Sequence, residues 1–466
     1  SNGQVAWSFT NSYGDWIDLV RLDVAACEEG YLTTAGCEPF ETVSGEIEVA
    51  HGESGPFEFR RTRWGPVIES VTNGSMVRYA LRWTAHDAEA TNLALHELAR
   101  AGSVHEALDI ARRSGMPPQN FVAGDADGNI AWTIVGRIPK RSGHDGRLPL
   151  ASAGTENVWE GWLAPEEYPG ILNPDHGRLW TANARAVDGE ALERIGDGGY
   201  ALGARAGQIR DRLFEKEQLD EHDMLRIQLD DEARFLSRWH EFLGSLLDDA
   251  AIAQRPGREK LREVLAGWEG RAAIDAVAYR VVRRFRDEVF SRVFDGLTAE
   301  VKADFPEFEF GVFSQAEGPL WQLVTEQPAH LLPPGNSSWR ALFLDVADSV
   351  QDERLEGNWG ERNLSAVRHP LGGLPLIGLM LNAGPRPLPG DKHMPRVQGR
   401  SFGASQRFAV SPGRETEGYF HMPGGQSGHP LSPFYLTGHT SWEEGVPTPF
   451  LPGKTQHELR LLPVKQ

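Results

Sequence analysis

With 466 residues, 40% of them hydrophobic and 24% charged, the chain has room for one large core or two to three domains, and its composition argues against disorder. A formal net charge of −19, from 66 acidic against 47 basic residues, argues against the clustered basic footprint that nucleic acid or an anionic membrane needs. No apolar run approaches the roughly 20 residues that span a bilayer.

The chain opens with a turn at Asn2-Gly3, a short apolar strand, a polar loop and a second strand that begins at the carboxylates Asp15 and Asp18. Ser1 as a first residue offers a hydroxyl and an α-amine together, the pairing by which an N-terminal nucleophile activates itself. Strand-like text runs through residues 5–9, 16–22, 45–50, 57–61, 67–70 and 76–83, several stretches alternating apolar and polar side chains as a sheet with one covered face requires. Cys27 and Cys37 are the chain's two cysteines, in a Gly- and Glu-rich loop. A local disulfide in an oxidising compartment and two free thiols both fit them. No second Cys or His pair stands at zinc-ligand spacing.

Two short helices follow. Residues 90–101 carry Leu93, Leu95 and Leu98; residues 104–113 open with Ser103 as N-cap and Glu106 at the capping-box position. A hairpin of 121–124 with 130–135 turns at Asp125-Ala126-Asp127-Gly128-Asn129, which is a plain turn because the Gly and distal Glu of an EF-hand are misplaced. A Gly- and Pro-rich section then runs from 137 to 197, and a loop this long in a compact protein is usually functional. Helical text occupies 204–299, with Phe235, Leu236, Trp239, Phe242, Leu243, Leu246 and Leu247 on one stripe. After 306 the text is mixed, with short strands expected at 405–410, 418–421 and 457–462. With no clean linker and no repeat, the expected organisation is a sheet core over 1–203, a helical insertion over 204–305, and a return to the sheet core over 306–466.

No His-Glu-x-x-His cluster appears, so a catalytic zinc is not expected. Gly425-Gln426-Ser427-Gly428-His429-Pro430 is not Gly-x-Ser-x-Gly and reads as a tight loop. Asp15 and Asp18, with the carbonyl of Ile17 between them, offer three hard oxygens suited to calcium if other loops complete the six or more it takes.

Several stretches together resemble the penicillin acylase family of N-terminal-nucleophile hydrolases, specifically its β chain. They are Asn2-Gly3-x-x-Ala6-Trp7-x-x-Thr10 with Asp15 and Asp18; Arg61-Thr62-x-x-Gly65-Pro66; Ala126-Asp127-Gly128-Asn129-Ile130; and Gly136-x-Ile138-Pro139-x-Arg141. Further along come Ser142-Gly143-His144-Asp145-x-Arg147-Leu148-Pro149, Thr181-Ala182-Asn183, Gly403-Ala404-Ser405-x-Arg407 and Gly424-Gly425-Gln426-Ser427-Gly428-His429-Pro430-x-Ser432-Pro433.

The resemblance implies an α+β fold, an αββα sandwich of two antiparallel sheets with large helical insertions, and an autoproteolytic precursor that hydrolyses an acyl amide such as a penicillin, an N-acyl-homoserine lactone or a lipopeptide side chain. By the same resemblance Asn183 and the backbone N–H of Asn11 hold the oxyanion, and Arg205 orients the asparagine or the substrate. Asp15, Ile17, Asp18, Gly146 and Asp197 supply a calcium site, and His144 and Asp145 are structural neighbours of that loop. An α chain from the same precursor would help form the acyl pocket. A periplasmic or secreted location is expected. The family's β chain begins Ser-Asn-x-Trp, whereas Trp7 here belongs to a strand that lies some tens of residues after the family's nucleophile. The expectation is therefore that Ser1 is not the nucleophile and that this chain alone is inactive. A non-catalytic homologue serving as a binding scaffold is the alternative.

Overall fold

A computed structural model describes residues 1–72, 74–352, 355 and 357–463. Its main strands are β1 (Val5–Asn11), β2 (Ile17–Arg21), β3 (Gly30–Thr33), β4 (Gly36–Pro39), β5 (Glu41–Ile47), β6 (Gly55–Thr62), β7 (Gly65–Thr72), β8 (Ser75–Trp83), β9 (Gln119–Asp125), β10 (Ile130–Val135), β11 (Leu150–Ala151) and β12 (Gly170–Leu172).

A four-stranded antiparallel sheet has the order β1-β9-β10-β12. The two-residue period sends Val5, Phe121, Ala123, Ala131 and Val135 to one face, where they pack under Val104, Ala107, Leu108 and Ala111 of the helix Val104–Arg113. Trp132 and Ile134 point to the other face, against Ile138, Leu163, Tyr168, Ile195 and Tyr200 from the long irregular section. That section is therefore a second cover for the sheet. The Ser103 hydroxyl accepts the Glu106 N–H at 3.3 Å as the sequence predicts, but the Glu106 carboxylate takes the N–H of Gly102 at 2.8 Å, one residue short of a full capping box. The acidic hairpin turn is explained locally: Asp125 accepts the backbone N–H groups of Asp127, Asn129 and Val104, so it both closes the turn and caps the helix.

A six-stranded sheet has the order β11-β2-β8-β7-β6-β5 and is antiparallel except for the short β11–β2 pairing. Its inner strands cover Val20, Leu22, Tyr31, Trp64, Ala80, Val158 and Trp159. Towards the β7–β8 turn and along β6 the sheet is open, with Phe59 at 40%, Met76 at 55% and Val71 at 69% exposure. The strand expected at 45–50 lies earlier, at Glu41–Ile47, where the Glu41–Arg61 ion pair aligns it with β6. Residues 90–101 do not form an α-helix; Ala94–Arg100 is a 3₁₀ run in which Leu98 is buried and Leu95, three residues before it, packs partly buried on the same core, while Leu93 stays exposed. Cys27 and Cys37 form a disulfide that ties the loop before β3 to β4.

The helical body does not end at 305. Helices Arg234–Leu246 and Val277–Leu297 share one core with Glu317–Glu326 and Trp339–Asp352, in which Trp239, Phe285, Leu320 and Phe343 are fully or almost fully buried. The later helices are needed to cover the apolar faces of the earlier ones. Nor do the residues after 306 rejoin either large sheet: Arg407–Ala409 and Tyr419–His421, close to two of the expected strands, pair with each other. Residues 457–462 carry no strand, and Leu459 and Leu461 are exposed. Among the described residues no helix is long and apolar enough to cross a membrane.

Candidate active site

The end of β1 and a loop far along the chain meet at two asparagines. Asn11, the last residue of β1, faces Gln119 across the sheet, and its carbonyl accepts the Asn183 side-chain N–H at 3.0 Å and that of Asn120 at 3.3 Å. Asn183 has φ +64°, in the left-handed region that asparagine tolerates better than most residues. Arg205, in the first turn of the helix Ala204–Leu213, donates to Asn183 Oδ1 at 2.7 Å and to the Ala182 carbonyl at 3.1 Å. A guanidinium only donates, so it fixes which end of the amide is oxygen. One Asn183 amide hydrogen goes to the Asn11 carbonyl, and the other has no hydrogen-bond partner among the described residues. The loop is anchored by Ala182 and Ala184 packed on Ala206, with Trp180 and Ile209 beside them, and by the Thr10–Thr181 hydroxyl contact at 2.8 Å.

Two clefts meet at Tyr13 beside this corner. One of about 510 Å³ is lined by Asn11 and by Trp16, Trp83, Met116, Pro117 and Pro118 and is largely apolar. The other, of about 490 Å³, contains Asn183, Arg205, Arg286, Phe290, Lys392 and His393. A carbonyl placed at the asparagines would have an apolar space on one side and a charged one on the other.

Four residues beyond Asn11, two carboxylates gather around a guanidinium. Asp18 is buried, and its Oδ2 accepts Arg141 Nε at 2.9 Å and Trp159 Nε1 at 2.5 Å. Arg141 also donates to the Asp15 carbonyl at 3.1 Å and lies 3.4 Å from its carboxylate. Gly146, at φ +80°, sits against both acids: a Cβ there would be 2.5 Å from Asp15 Oδ2 and 3.0 Å from Asp18 Oδ1. Burial pushes the Asp15 carboxyl up to about 6, with Arg141 pulling it down and Asp18 pushing it further up. Arg141 Nε is 2.8 Å from that same Cβ point, so Asp15 Oδ2, Asp18 Oδ1 and one guanidinium gather against Gly146, two carboxylates to one cation, and carboxylate oxygens are the donors a hard cation takes. Asp197 is already committed, its Oδ2 to Arg185 at 2.6 Å and its Oδ1 to the N–H groups of Gly199 and Tyr200. Its loop nevertheless adjoins the acids, since Asp15 donates its N–H to the Ile195 carbonyl and Gly198 donates to that of Tyr13. Among the described residues no three His, Cys, Asp or Glu side chains gather at metal-binding distance.

The family model described as Penicillin amidase matches residues 1–458. The chain belongs to the penicillin amidase family. It is 29% identical to the penicillin acylase 2 proenzyme of Pseudomonas sp. (strain SE83), over 97% of this chain and 59% of that protein. Identity to the acyl-homoserine lactone acylase QuiP of Pseudomonas aeruginosa is 24%, over 97% of this chain and 60% of that one. The chain spans about three fifths of the length of these curated relatives. Its fold is similar to that of a thermostable penicillin G acylase from Alcaligenes faecalis, with a TM-score of 0.68 at 17% identity, covering 99% of this chain and 90% of that one.

In this penicillin amidase family chain Ser1 does not join the asparagine corner. It lies before the start of β1, whose seven residues put Asn11 roughly 20 Å away at about 3.3 Å per residue. Its hydroxyl donates to Glu415 at 2.7 Å. His144 spends both ring nitrogens inside its own loop, Nε2 with the Val158 carbonyl and Nδ1 with the Gly146 N–H, and Asp145 takes the Arg147 N–H. The Ser427 hydroxyl accepts the His429 N–H within a tight loop. Sequence reasoning assigned no role to Arg141, although it stands in a quoted motif; the signal was a cation near paired acids, which a search for oxygen ligands passes over. Tyr13 and Lys392 carried no local signal.

Proposed function

We propose that the chain is the larger part of an acylase that hydrolyses small acyl amides, with Asn183 and the Asn11 backbone N–H receiving the oxyanion. The observation that carries this reading is the Asn183 amide, fixed at its oxygen by Arg205 and at one hydrogen by Asn11, with its other hydrogen unpartnered among the described residues at the charged cleft, while Asn11 lines the apolar one. Donors held before charge develops cost no reorganisation during reaction and are worth about 3 kcal/mol each in a water-poor site. The nucleophile is a serine at the N-terminus of a processed chain of the longer protein, whose amine takes the hydroxyl proton. Attack on the amide carbonyl gives the tetrahedral oxyanion, its collapse expels the amine, and water releases the acid from the acyl-enzyme. Penicillins, N-acyl-homoserine lactones and lipopeptide side chains are the candidate substrate types. The names of the relatives support the first two.

An α chain from the same precursor is the proposed partner, supported by the exposed Phe57, Phe59, Val71 and Met76 on β6, β7 and β8 of the larger sheet. With it, the two sheets form the inner layers of an αββα sandwich. Calcium is proposed as a structural ion, held by Asp15, Asp18 and the carbonyls of Ile17 and Gly146, with Asp197 joining if it leaves Arg185. The ion would neutralise the acids and brace the backbone a few residues from Asn11. The Cys27–Cys37 disulfide supports a periplasmic or secreted location.

Replacing Asn183 with Ala in the complete enzyme tests the reading. We expect kcat to fall by about 10²–10³-fold while precursor cleavage proceeds. Normal turnover in that variant would sink it, and a complete enzyme that binds acyl amides without cleaving them would leave a binding scaffold.

A further inference from the structure

The segment that leads to Asn183 has little backbone structure of its own. Leu179, Trp180, Thr181 and Ala182 belong to no helix or strand, and among the described residues their N–H groups donate to no backbone carbonyl. Side chains fix it instead, along the helix Ala204–Leu213. At the near end Arg205 reaches back to the Ala182 carbonyl and to Asn183 Oδ1. At the far end a second guanidinium reaches the other way. Arg178 donates Nε to the Leu213 carbonyl at 2.7 Å, and Nη2 to the carbonyls of Lys216 and Glu217 at 2.6 and 2.9 Å. Its Nη1 returns to the His176 carbonyl at 3.1 Å.

The two pins suit the length between them. Extended backbone from Arg178 to Asn183 covers about 16 Å, and the helix rises about 12 Å from Arg205 to Leu213, so the segment runs antiparallel along the helix and is held at both ends. Between the pins Trp180 and Ile209 pack beside Ala182, Ala184 and Ala206, and the Trp180 ring lies edge-on to Phe214, with 6.1 Å between centroids. Arg178 lies over the same Phe214 ring at 5.0 Å. Leu213 is the last residue of the helix, where unpaired carbonyls and aligned peptide dipoles leave partial negative charge that a cation satisfies.

We propose that Arg178 is a positioning residue for the oxyanion amide: it holds the segment in register along the helix, so that the Asn183 amide meets Arg205 and the Asn11 carbonyl together. The kinetic half of this inference rests on the acylase reading above; the anchoring half rests on the contacts alone. Arg178 lines neither of the two clefts, so its influence on rate passes through Asn183.

The test is Arg178→Met, which keeps an apolar stem near Phe214 and removes every donor. In the complete enzyme kcat should fall about tenfold, with KM changed by less than about twofold, because the displaced donor serves the transition state more than the bound amide. Arg178→Lys restores the charge and part of the bonding, and should recover part of the loss. In an Asn183→Ala background, Arg178→Met should lower kcat by less than about twofold, since residues that act through one another are not additive. The full chain gives a reading that needs no turnover: under native conditions chymotrypsin should cut after Trp180 faster in Arg178→Met than in the parent, as local release requires. An unchanged kcat, a full tenfold fall that persists in the Asn183→Ala background, or an unchanged rate of cutting overturns the inference. If cutting accelerates while the parent enzyme hydrolyses no acyl amide, the anchoring half stands and the acylase reading fails.

Discussion

The asparagine corner and the aspartate loop arise from the same short segment, yet they solve opposite problems. At Asn11 and Asn183 a neutral amide is clamped by a cation and a carbonyl, so every contact is satisfied while one hydrogen stays available. At Asp15 and Asp18 two partly or wholly buried acids share one guanidinium, so charge is left over. The first arrangement suits the oxyanion role proposed for it. The second has its own negative charge to neutralise, and its failure should register in stability before it registers in rate.

The sharpest way to break that contrast is Arg141→Met. Removing one partner from a buried ion pair typically costs about 3–5 kcal/mol, because the remaining charge is left without compensation. We expect a large fall in the urea midpoint and poor maturation of the precursor. If the variant is too unstable to purify, Arg141→Lys keeps the charge, loses the fork that spans both aspartates, and should lie between. An Arg141→Met protein as stable as the parent would mean that the acids do not need their cation.

Arg205→Lys attacks the other corner. Both contacts, to Asn183 Oδ1 and to the Ala182 carbonyl, come from one guanidinium nitrogen, Nη2, and the rotating ammonium of a shorter lysine does not hold a donor in that plane, so the amide loses its fixed orientation. A fall in kcat of about 10- to 100-fold is expected, some 1.4–2.7 kcal/mol in the barrier, with a small change in urea midpoint. A change in stability alone, with kcat intact, would show that Arg205 holds the helix and does not position the oxyanion donor.

These two corners were unequally legible in the sequence. Asn183 and Arg205 lie far from Asn11, and no spacing rule links them; only the family resemblance did, because long-range contacts leave no local pattern. The aspartates were visible by their type and spacing, but Arg141 reverses the local charge logic, and a count of oxygen ligands cannot show that a guanidinium already stands among them. Periodicity found β1, β2, β8, the β9–β10 hairpin and the helix Val104–Arg113, each of which buries one face. It placed β5 too late and turned the 3₁₀ run at Ala94–Arg100 into an α-helix, where few side chains are buried and pairing or turn geometry decides. The helical body ran past its expected end because Trp339–Asp352 completes a core that begins with Arg234–Leu246, a dependence between elements that no window of sequence contains.

Chelation probes the aspartate loop from outside. If a calcium ion supplements Arg141 there, ion at about 100 times its dissociation constant adds about 2.7 kcal/mol of stability, and a chelator should lower Tm accordingly. The loss should be absent in Asp18→Asn, which removes a ligand charge while keeping the shape of the side chain. An identical Tm with and without chelator would leave Arg141 as the sole counter-charge and remove the metal from the account.

The smallest effect expected comes from a site remote from both corners. The Cys27–Cys37 disulfide closes a loop ten residues long next to the β3–β4 hairpin, and removing a cross-link of that span should cost about 2 kcal/mol through the unfolded chain. A Cys27→Ser, Cys37→Ser double variant of the complete enzyme should melt a few degrees lower and keep its kcat. It is the control that gives the other variants meaning: it lowers stability without touching the segment from Asn11 to Asp18. If kcat fell with it as steeply as in Arg205→Lys, loss of rate would be a general consequence of a weakened fold. The distinction between a corner that positions an amide and a loop that balances charge would then collapse.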